Sequence, residues 1–331
     1  MISDRLFRGK ALRLGVAVIA MALAAVTSSA NAQPYPSRSI TILVGYSAGG
    51  QADALARIIG KQLGENLKVS VVIENKTGAN GMIAAQAAAR SEPDGYTVLM
   101  VTDAMVTIDP HLATSNHFDL STAMEPVVNV SWSPLLLAAA NNVPANSVAE
   151  LVALGKQKTQ NLSFGSSGSS TPHRLAGEML QKSGGFTMTH IPYKGTAASV
   201  NDLLGGQIPL LFGAPTAVEP LATAGKIKVL GVTSEKRYPL LPNVPAISET
   251  FEGFKIISYI GFMLPKKTPA PVIATLNKEV NQILGTDTMR GWLDKQSMVA
   301  VGGTPDDFKR QIAVDYQARG ELVRALGITG E

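Results

Sequence analysis

The chain has 331 residues, a formal net charge of +4 at neutral pH and no cysteine. The lack of cysteine excludes a disulfide framework and a lipid-modified N-terminal cysteine. Residues 1–32 hold four of the 29 basic residues and one of the 25 acidic ones, so the remainder carries a net charge of only +1. A nucleic-acid partner therefore has no electrostatic support.

The N-terminus has the three parts of a secretory signal peptide. Basic residues come first, an apolar run of 13 residues from Leu14 to Val26 follows, and Ala30-Asn31-Ala32 forms a cleavage pattern. That run is short for a membrane span, and no later run reaches about 18 apolar residues. We therefore expect residues 1–32 to be removed and the mature chain to be a soluble protein of a bacterial periplasm.

The mature chain opens with a strand, a turn of small residues and a helix. Alternating apolar residues predict the strand over 40–44, and apolar residues at helical spacing predict the helix up to about residue 63. Small residues fill the turn, 45–50, between them. The N-terminus of such a helix carries roughly half a positive charge and free N–H groups, which together favour an anion.

Further strands at 69–73 and 96–101, with a helix at 82–90 between them, extend this pattern to β-α-β-α-β. Continuous apolar strands in this order predict a parallel sheet covered by helices on both faces. Ligands bind beyond the carboxyl ends of such strands. The residues expected on that rim are Tyr46, Ser47, Ala48, Gly49, Gly50, Asn80, Thr102 and Asp103.

A second alternation of strands and helices follows an apolar strand at 132–139. Its strands are predicted at 162–165, 189–193, 208–212 and 228–233. The small-residue turn 166–171 ends at Thr171 and Pro172, which are a helix N-cap and first-turn pair. This second group therefore repeats the plan of the first, including a turn of small residues before a helix.

A return strand at 255–264, a helix reaching Leu284 and a last helix beginning at a Thr304–Asp307 capping box complete the chain. The chain is predicted to cross between two lobes near 131–137 and 256–262. The first lobe is then made of two separate segments, as in a hinged clamshell. We expect lobe 1 to contain 33–130 and 255–300, and lobe 2 to contain 131–254. The segment 301–331 is predicted as a C-terminal helix without a lobe assignment.

Gly45-Tyr46-Ser47-Ala48-Gly49 matches G-x-S-x-G, the nucleophile elbow of α/β-hydrolases. The motif begins 13 residues after Ala32, too early for the strands and oxyanion loop that precede an elbow. The last histidine, His190, is also followed by 141 residues, whereas the catalytic histidine of such enzymes comes late. A serine hydrolase with Ser47 as nucleophile is kept as the enzymatic alternative to a binding role.

The remaining polar residues predict no metal and no cofactor. The four histidines lack metal-ligand spacing, and no P-loop or G-x-G-x-x-G sequence follows a strand. Asp53 has two interpretations, a carboxylate that stabilises the start of the helix or a partner for a ligand amine, and the first is favoured.

Motifs along the whole mature chain are shared with one family. They are Tyr35-Pro36, Ser47-Ala48-Gly49-Gly50 with Asp53, Glu74-Asn75-Lys76, Asn80-Gly81, Pro93-Asp94-Gly95-Tyr96, the 165–170 turn with His173, Tyr193-Lys194-Gly195, and Asp202-Leu203-Leu204-Gly205-Gly206. In these motifs the chain resembles the extracytoplasmic solute-binding receptors of tripartite tricarboxylate transporters, the Bug family.

The resemblance implies a non-catalytic α/β protein with a two-lobed periplasmic-binding-protein fold. Each lobe is then a mostly parallel sheet flanked by helices, with two crossover strands at the hinge. A small carboxylate is held between two turns, largely by backbone N–H groups and hydroxyls. The residues assigned to the second turn and its lining are Ser166, Ser167, Gly168, Ser169, Ser170, His173 and Tyr193.

The same resemblance implies a monomer that serves the permease subunits of a tripartite tricarboxylate-type transporter. A sensor that serves a signalling kinase is the second alternative. Pro209 and Gly213 replace acids that are usual in the family, and Asp103 adds a charge near the rim. These differences leave the identity of the carboxylate open.

Overall fold

The structure is a computed structural model and describes residues 34–112, 118–157, 162–169 and 171–328. The predicted signal peptide lies outside the described residues. Arg38 and the residues after it form one compact unit. Within the described residues no helix is long and apolar enough to cross a membrane.

Strands and helices alternate along most of this unit. The strands are β1 (Ile40–Val44), β2 (Val71–Asn75), β3 (Thr97–Thr102), β4 (Met124–Pro134), β5 (Leu136–Ala140), β6 (Ser163–Ser166), β7 (Thr189–Pro192), β8 (Leu210–Gly213), β9 (Ile227–Val232), β10 (Ile257–Pro265) and β11 (Val299–Gly302). The helices are α1 (Gln51–Leu67), α2 (Met82–Ala89), α3 (Asp103–Thr107), α4 (Asp109–Leu112), α5 (Leu120–Ala123), α6 (Val148–Lys156), α7 (Pro172–Gly184), α8 (Thr196–Leu204), α9 (Pro215–Thr223), α10 (Ala270–Leu284), α11 (Asp287–Lys295) and α12 (Pro305–Ala325).

The strands form two sheets. Sheet A has the order β11-β4-β10-β3-β1-β2, and sheet B has the order β7-β6-β8-β5-β9. β1 is parallel to β2 and β3, and β6 is parallel to β7 and β8. β10 is antiparallel to both of its neighbours, and so is β5. Both sheets are therefore mixed, but four of the six described strands of sheet A and four of the five of sheet B run in one direction, in agreement with the predicted mostly parallel sheets.

The chain connects the carboxyl edges of the two sheets directly. Ile260 of β10 pairs both with Thr102 at the end of β3 and with Ser131 of β4, so β4 leaves sheet A at this edge. One residue separates β4 from β5, and β5 begins with Leu136 opposite Gly213, the last residue of β8. The chain thus passes directly from the carboxyl edge of sheet A to that of sheet B.

Thr233 links the two connections between the sheets. Its Oγ1 accepts a hydrogen bond from the Leu135 N–H at 2.8 Å and donates one to the Ile256 carbonyl at 2.5 Å. Its backbone N–H and C=O bond to the same two residues. Thr233 is fully buried, so these bonds fix the first connection against the second without competition from water.

Helix α12 packs against both sheets. Phe308 and Ile312, in its first half, join the hydrophobic cluster that contains residues of β1, β3 and β10. Val323, near its end, joins the cluster that contains the core of sheet B. The 21-residue helix is therefore a third connection between the two halves of the molecule, in addition to the two chain crossings.

The structure differs from the predicted elements mainly around the crossings. The single strand predicted at 132–139 is two strands, because β4 begins at Met124 and belongs to sheet A whereas β5 belongs to sheet B. β11 and the helices α3, α4, α5, α6 and α11 were not predicted. The boundaries of the two lobes, and the assignment of residues 301–331 to one of them, stay predictions.

Candidate functional site

The first predicted turn lies at the carboxyl end of β1. Ser47, Ala48, Gly49 and Gly50 are exposed there, and Gly50 is the N-cap of α1. Gly49 has a φ of +81°, a backbone conformation that favours glycine. The Gly50 N–H donates to the Ser47 carbonyl at 3.2 Å, which closes the turn. The turn therefore presents small residues and a helix N-terminus to the space at the rim.

Asp53 holds this turn from inside helix α1. Its carboxylate accepts hydrogen bonds from the Gly49 N–H, from Nε and Nη2 of Arg57 and from Nδ2 of Asn75, each at 2.9 Å. The side chain is 3% exposed, and the hydrogen bonds from Arg57 are the main cause that lowers its pKa to about 2. Of its two predicted roles, this geometry is that of the helix-start carboxylate, since four donors already occupy it.

Tyr46 connects three segments of the same rim. Its hydroxyl lies 2.8 Å from Oγ1 of Thr102 and donates to the Asn80 carbonyl at 3.3 Å. The side chain of Asn80 in turn donates to Asp109 at 3.2 Å. Burial raises the pKa of Tyr46 to about 12, so its hydroxyl stays protonated. The structure thus brings the predicted residues of strands β1 and β3 together with the loop after β2.

Two glycines allow this close approach. A Cβ on Gly45 would lie 2.4 Å from Cα of Gly81, so the turn after β1 and the loop before α2 meet backbone to backbone. Gly81 has a φ of +90°, and Asn80 beside it has a φ of +51°. Only glycine fits at Gly45 without displacing the loop that carries Asn80.

Asp103 does not place a charge on the rim, so this part of the prediction is wrong. Asp103 is 3% exposed, and its Oδ2 lies 3.7 Å from Nη2 of Arg319, which is itself buried. Burial raises the pKa of the carboxyl to about 7, although Arg319 opposes the effect. The side chain enters the interior because Asp103 begins α3 and faces α12 there.

The second predicted turn lies at the carboxyl end of β6. Oγ of Ser166 is 2.7 Å from Nε2 of His190 and also accepts from the Gly168 N–H at 3.2 Å. The hydroxyl of Thr171 donates to the Gly168 carbonyl at 2.7 Å. Ser166 is fully buried, whereas Ser167 and Ser169 are partly exposed. Ser170 lies outside the described residues.

His173 lies in the first turn of α7, behind this loop. Its Nδ1 is 2.9 Å from Oγ of Ser167, and burial lowers the pKa of the ring to about 4. The ring is therefore neutral at physiological pH. Nε2 is buried without a hydrogen-bond partner in the part of the chain that is described.

Tyr193 follows β7 on the same edge of sheet B. Its hydroxyl donates to Oδ2 of Asp202 at 2.7 Å, and burial is the main cause that raises its pKa to about 12. The Tyr193 N–H donates to the Ser166 carbonyl, which ties it to the second turn. Asp202 was not predicted as a site residue, and the shared motif Asp202-Leu203-Leu204-Gly205-Gly206 was its only sequence signal.

The two turns can hold an anion by hydrogen bonding more than by charge. Asp53 and Arg57 beside the first turn neutralise each other, and His173 is neutral at the second. Arg174 is a cation beside the second turn: it donates to the Ser169 carbonyl at 3.3 Å and lies 3.8 Å from Glu178. Among the described residues no group of three or more side chains could hold a metal ion. Asn75 and Asp109, which support the rim, were missed as site residues; the predicted Glu74-Asn75-Lys76 motif was the only sequence signal for Asn75.

Comparison with known proteins identifies similar chains of almost equal length. A family model described as "Tripartite tricarboxylate transporter family receptor" matches residues 55–328. A UPF0065 protein of Bordetella bronchiseptica is 34% identical over 278 residues, which are 84% of this chain and 82% of that protein.

Solved structures are similar over the same region. The structure of R. palustris Rpa4515 with adipate is 31% identical, with a TM-score of 0.79 over 90% of this chain and all of that one. The periplasmic binding protein BugD is 30% identical, with a TM-score of 0.75 over 90% of this chain and all of that one. The similarity predicted from the motifs and the two-lobed α/β fold are both confirmed.

Proposed function

The chain belongs to the tripartite tricarboxylate transporter family of receptors, and we propose that it binds a small carboxylate between its two sheets for uptake by a membrane transporter. The observation that carries the proposal is the direct passage of the chain from one carboxyl edge to the other. The exposed turn before α1 and the turn before α7 lie on the two edges that this passage joins, with one residue between β4 and β5. The adipate in the similar R. palustris structure supports the carboxylate class.

The ligand is held by neutral donors. Helix α1 supplies an N-terminus, and Ser47, Ser167 and Ser169 supply hydroxyls that are exposed or partly exposed. Backbone N–H groups and the helix dipole favour an anion without requiring a buried cation. Asn80 and Thr102 line the first edge, and Tyr193 lines the second. Asp103 is left out of this set because its side chain is buried against Arg319.

Ligand binding is tested by thermal unfolding and calorimetry with a panel of mono-, di- and tricarboxylates and amino acids, adipate included. A ligand at about 100 times its Kd stabilises the folded state by about 2.7 kcal/mol, a shift that thermal unfolding detects easily. The proposal fails if no member of the panel stabilises the protein.

The role of the first turn is tested by Gly49→Val. Gly49 has a positive φ and no heavy atom within 4 Å of an added Cβ, so valine strains the turn without a clash. Gly225→Val is the matched control, since Gly225 has a φ of +68°, is equally free of neighbours and lies before β9 at the opposite edge of sheet B. We expect Gly49→Val alone to abolish binding; equal affinities in the two variants would exclude the turn from the site.

Delivery to permease subunits, a periplasmic location after removal of residues 1–32, and a monomeric state are parts of the same proposal. Mass spectrometry of the exported chain is expected to begin at Gln33, and light scattering to give the mass of one chain. A strain without the receptor is expected to lose uptake of the identified carboxylate. Unchanged uptake with a lost transcriptional response would favour the sensor alternative.

The hydrolase alternative is less well supported. Described histidine rings bond to other groups: His173 to Ser167, His190 to Ser166 and His111 to the Tyr316 carbonyl. An activated serine needs a base within about 3 Å. Turnover of an activated ester that disappears in Ser47→Ala would restore the enzymatic interpretation.

A further inference from the structure

A cavity of about 430 Å³ lies beside the connections between the two sheets. From sheet A it is lined by Asn129 and Trp132 of β4, and Gln311 of α12 lies beside them. From the other side it is lined by Lys236, in the loop after β9, and by Lys255, just before β10. None of these residues belongs to the two turns described above, so the cavity is separate from the proposed carboxylate site.

The side-chain oxygen of Asn129 is buried without a partner among the described residues. The residue is 7% exposed, and its Oδ1 makes no hydrogen bond within the described part of the chain. Its cross-strand neighbour on β10 is Gly261, where an added Cβ would meet the ring of Phe308. Buried polar atoms are normally paired with a protein group or an ordered water, since leaving one unpaired is unfavourable.

The rest of the lining combines an apolar surface with positive charge. Trp132 packs edge-on against Tyr238, with ring centroids 5.7 Å apart, and its indole also lines the cavity. Lys236 forms no ion pair with the residues that the structure describes, and Lys255 lies 3.8 Å from Glu235. Arg237 beside them is neutralised by Glu249. Glu235 also lines the cavity and faces Lys255, so the net positive charge beside the aromatic surface comes from Lys236.

We propose that this cavity is a second binding site, for a small organic anion with an apolar body. Its anionic group pairs with Lys236 and Lys255, its apolar part packs on Trp132, and a polar group bonds to the Asn129 amide. Such a ligand touches residues on both sides of the connections. Binding there therefore favours one arrangement of the two sheets over others.

Tryptophan fluorescence gives a direct readout, because the chain has two tryptophans and only Trp132 lines the cavity. In a Trp292→Phe background we titrate 6-hydroxyhexanoate, with the uncharged 1,6-hexanediol as its counterpart. We expect a saturable change in Trp132 emission with the anion at millimolar concentration, and none with the diol.

Variants separate this cavity from the carboxylate site. Lys236→Glu is expected to weaken binding by at least about tenfold, as the loss of one charge-assisted contact predicts. Asn129→Leu is expected to weaken it as well. Lys226→Glu, an exposed charge change in the turn before β9, and Gly49→Val are expected to leave it unchanged.

Three results would overturn the proposal. The first is the absence of a saturable change up to about 50 mM, the weakest affinity worth assigning to a site. The second is a change that persists in both Lys236→Glu and Asn129→Leu. The third is a change abolished by Gly49→Val, which would place the probe in the carboxylate site and leave the proposed function intact.

Discussion

Replacing Asp53 by asparagine tests the support of the first turn. The substitution keeps the size of the side chain and removes the charge that receives hydrogen bonds from Gly49, Arg57 and Asn75. Asparagine keeps one acceptor oxygen, but its NH₂ group is itself a donor and would face the N–H donors that now bond to the carboxylate. We expect a less stable protein and a looser turn.

The magnitude follows from the pKa of the carboxyl. The pKa falls from 3.8 to about 2 in the folded state, and each unit corresponds to about 1.36 kcal/mol. The charged form of Asp53 thus contributes at most about 2.4 kcal/mol at neutral pH. Arg57 is 53% exposed, so screening by water reduces this figure, and we expect about 2 kcal/mol for Asp53→Asn.

The pH dependence has a definite sign. Because the folded-state pKa is lowered, the stabilisation is complete above about pH 4 and is lost as the pH falls towards about 2. Urea unfolding of the wild type and Asp53→Asn at neutral and acid pH measures both effects. Glu74→Gln is the control, since Glu74 pairs with Lys76 on the surface nearby, and we expect it to change the stability by less than about 1 kcal/mol.

The reasoning is refuted if Asp53→Asn is as stable as Glu74→Gln at neutral pH. It is also refuted if the difference between wild type and Asp53→Asn does not shrink as the pH falls below about 4. The same variant is expected to bind the carboxylate ligand more weakly, because Asp53 fixes the Gly49 N–H.

Three further predictions concern burial, the connections and core packing. Burial raises the pKa of Asp103 to about 7, so the free energy of unfolding of the wild type should fall as the pH rises from about 4 to about 7. Asp103→Asn should remove this slope in urea unfolding. Thr233→Val leaves the Leu135 N–H unpaired and should cost about 2–3 kcal/mol, whereas Thr275→Val on an exposed helix face should change stability by less than about 0.5 kcal/mol. Gly177→Ala puts a Cβ 2.2 Å from the Phe164 ring and should cost about 1–3 kcal/mol in chemical unfolding, whereas Gly291→Ala, which meets no atom within 4 Å, should be neutral or stabilising. Equal effects in either matched pair, or an unchanged slope, would contradict the corresponding argument.

Local signals predicted the elements well where a few adjacent residues decide the structure. The Thr304–Asp307 capping box forms as predicted, with both hydrogen bonds between the two residues. Thr171 and Pro172 also begin α7 as predicted, but the Thr171 hydroxyl bonds to the Gly168 carbonyl and makes no cap bond. The sequence did not predict that this hydroxyl would bond within the preceding turn instead of capping the helix.

Features that depend on distant residues could not be predicted in the same way. The polar residues Asn129 and Ser131 interrupt the apolar pattern of β4, which hid its first half. Asp103 stands after a strand like a rim residue, and only the fold shows that it meets Arg319 more than 200 positions later. The packing of α12 against both sheets likewise follows from which cores its two ends reach.

The order in which the strands occur along the chain has a consequence for folding. Sheet B uses strands from one continuous stretch, between Leu136 and Val232. Sheet A is different, because β3 pairs with β10, and the paired residues Thr102 and Ile260 are 158 positions apart. Closing such a long loop is entropically costly and slow. Sheet A thus stays incomplete until the last third of the chain has been synthesised, whereas all the strands of sheet B are available much earlier.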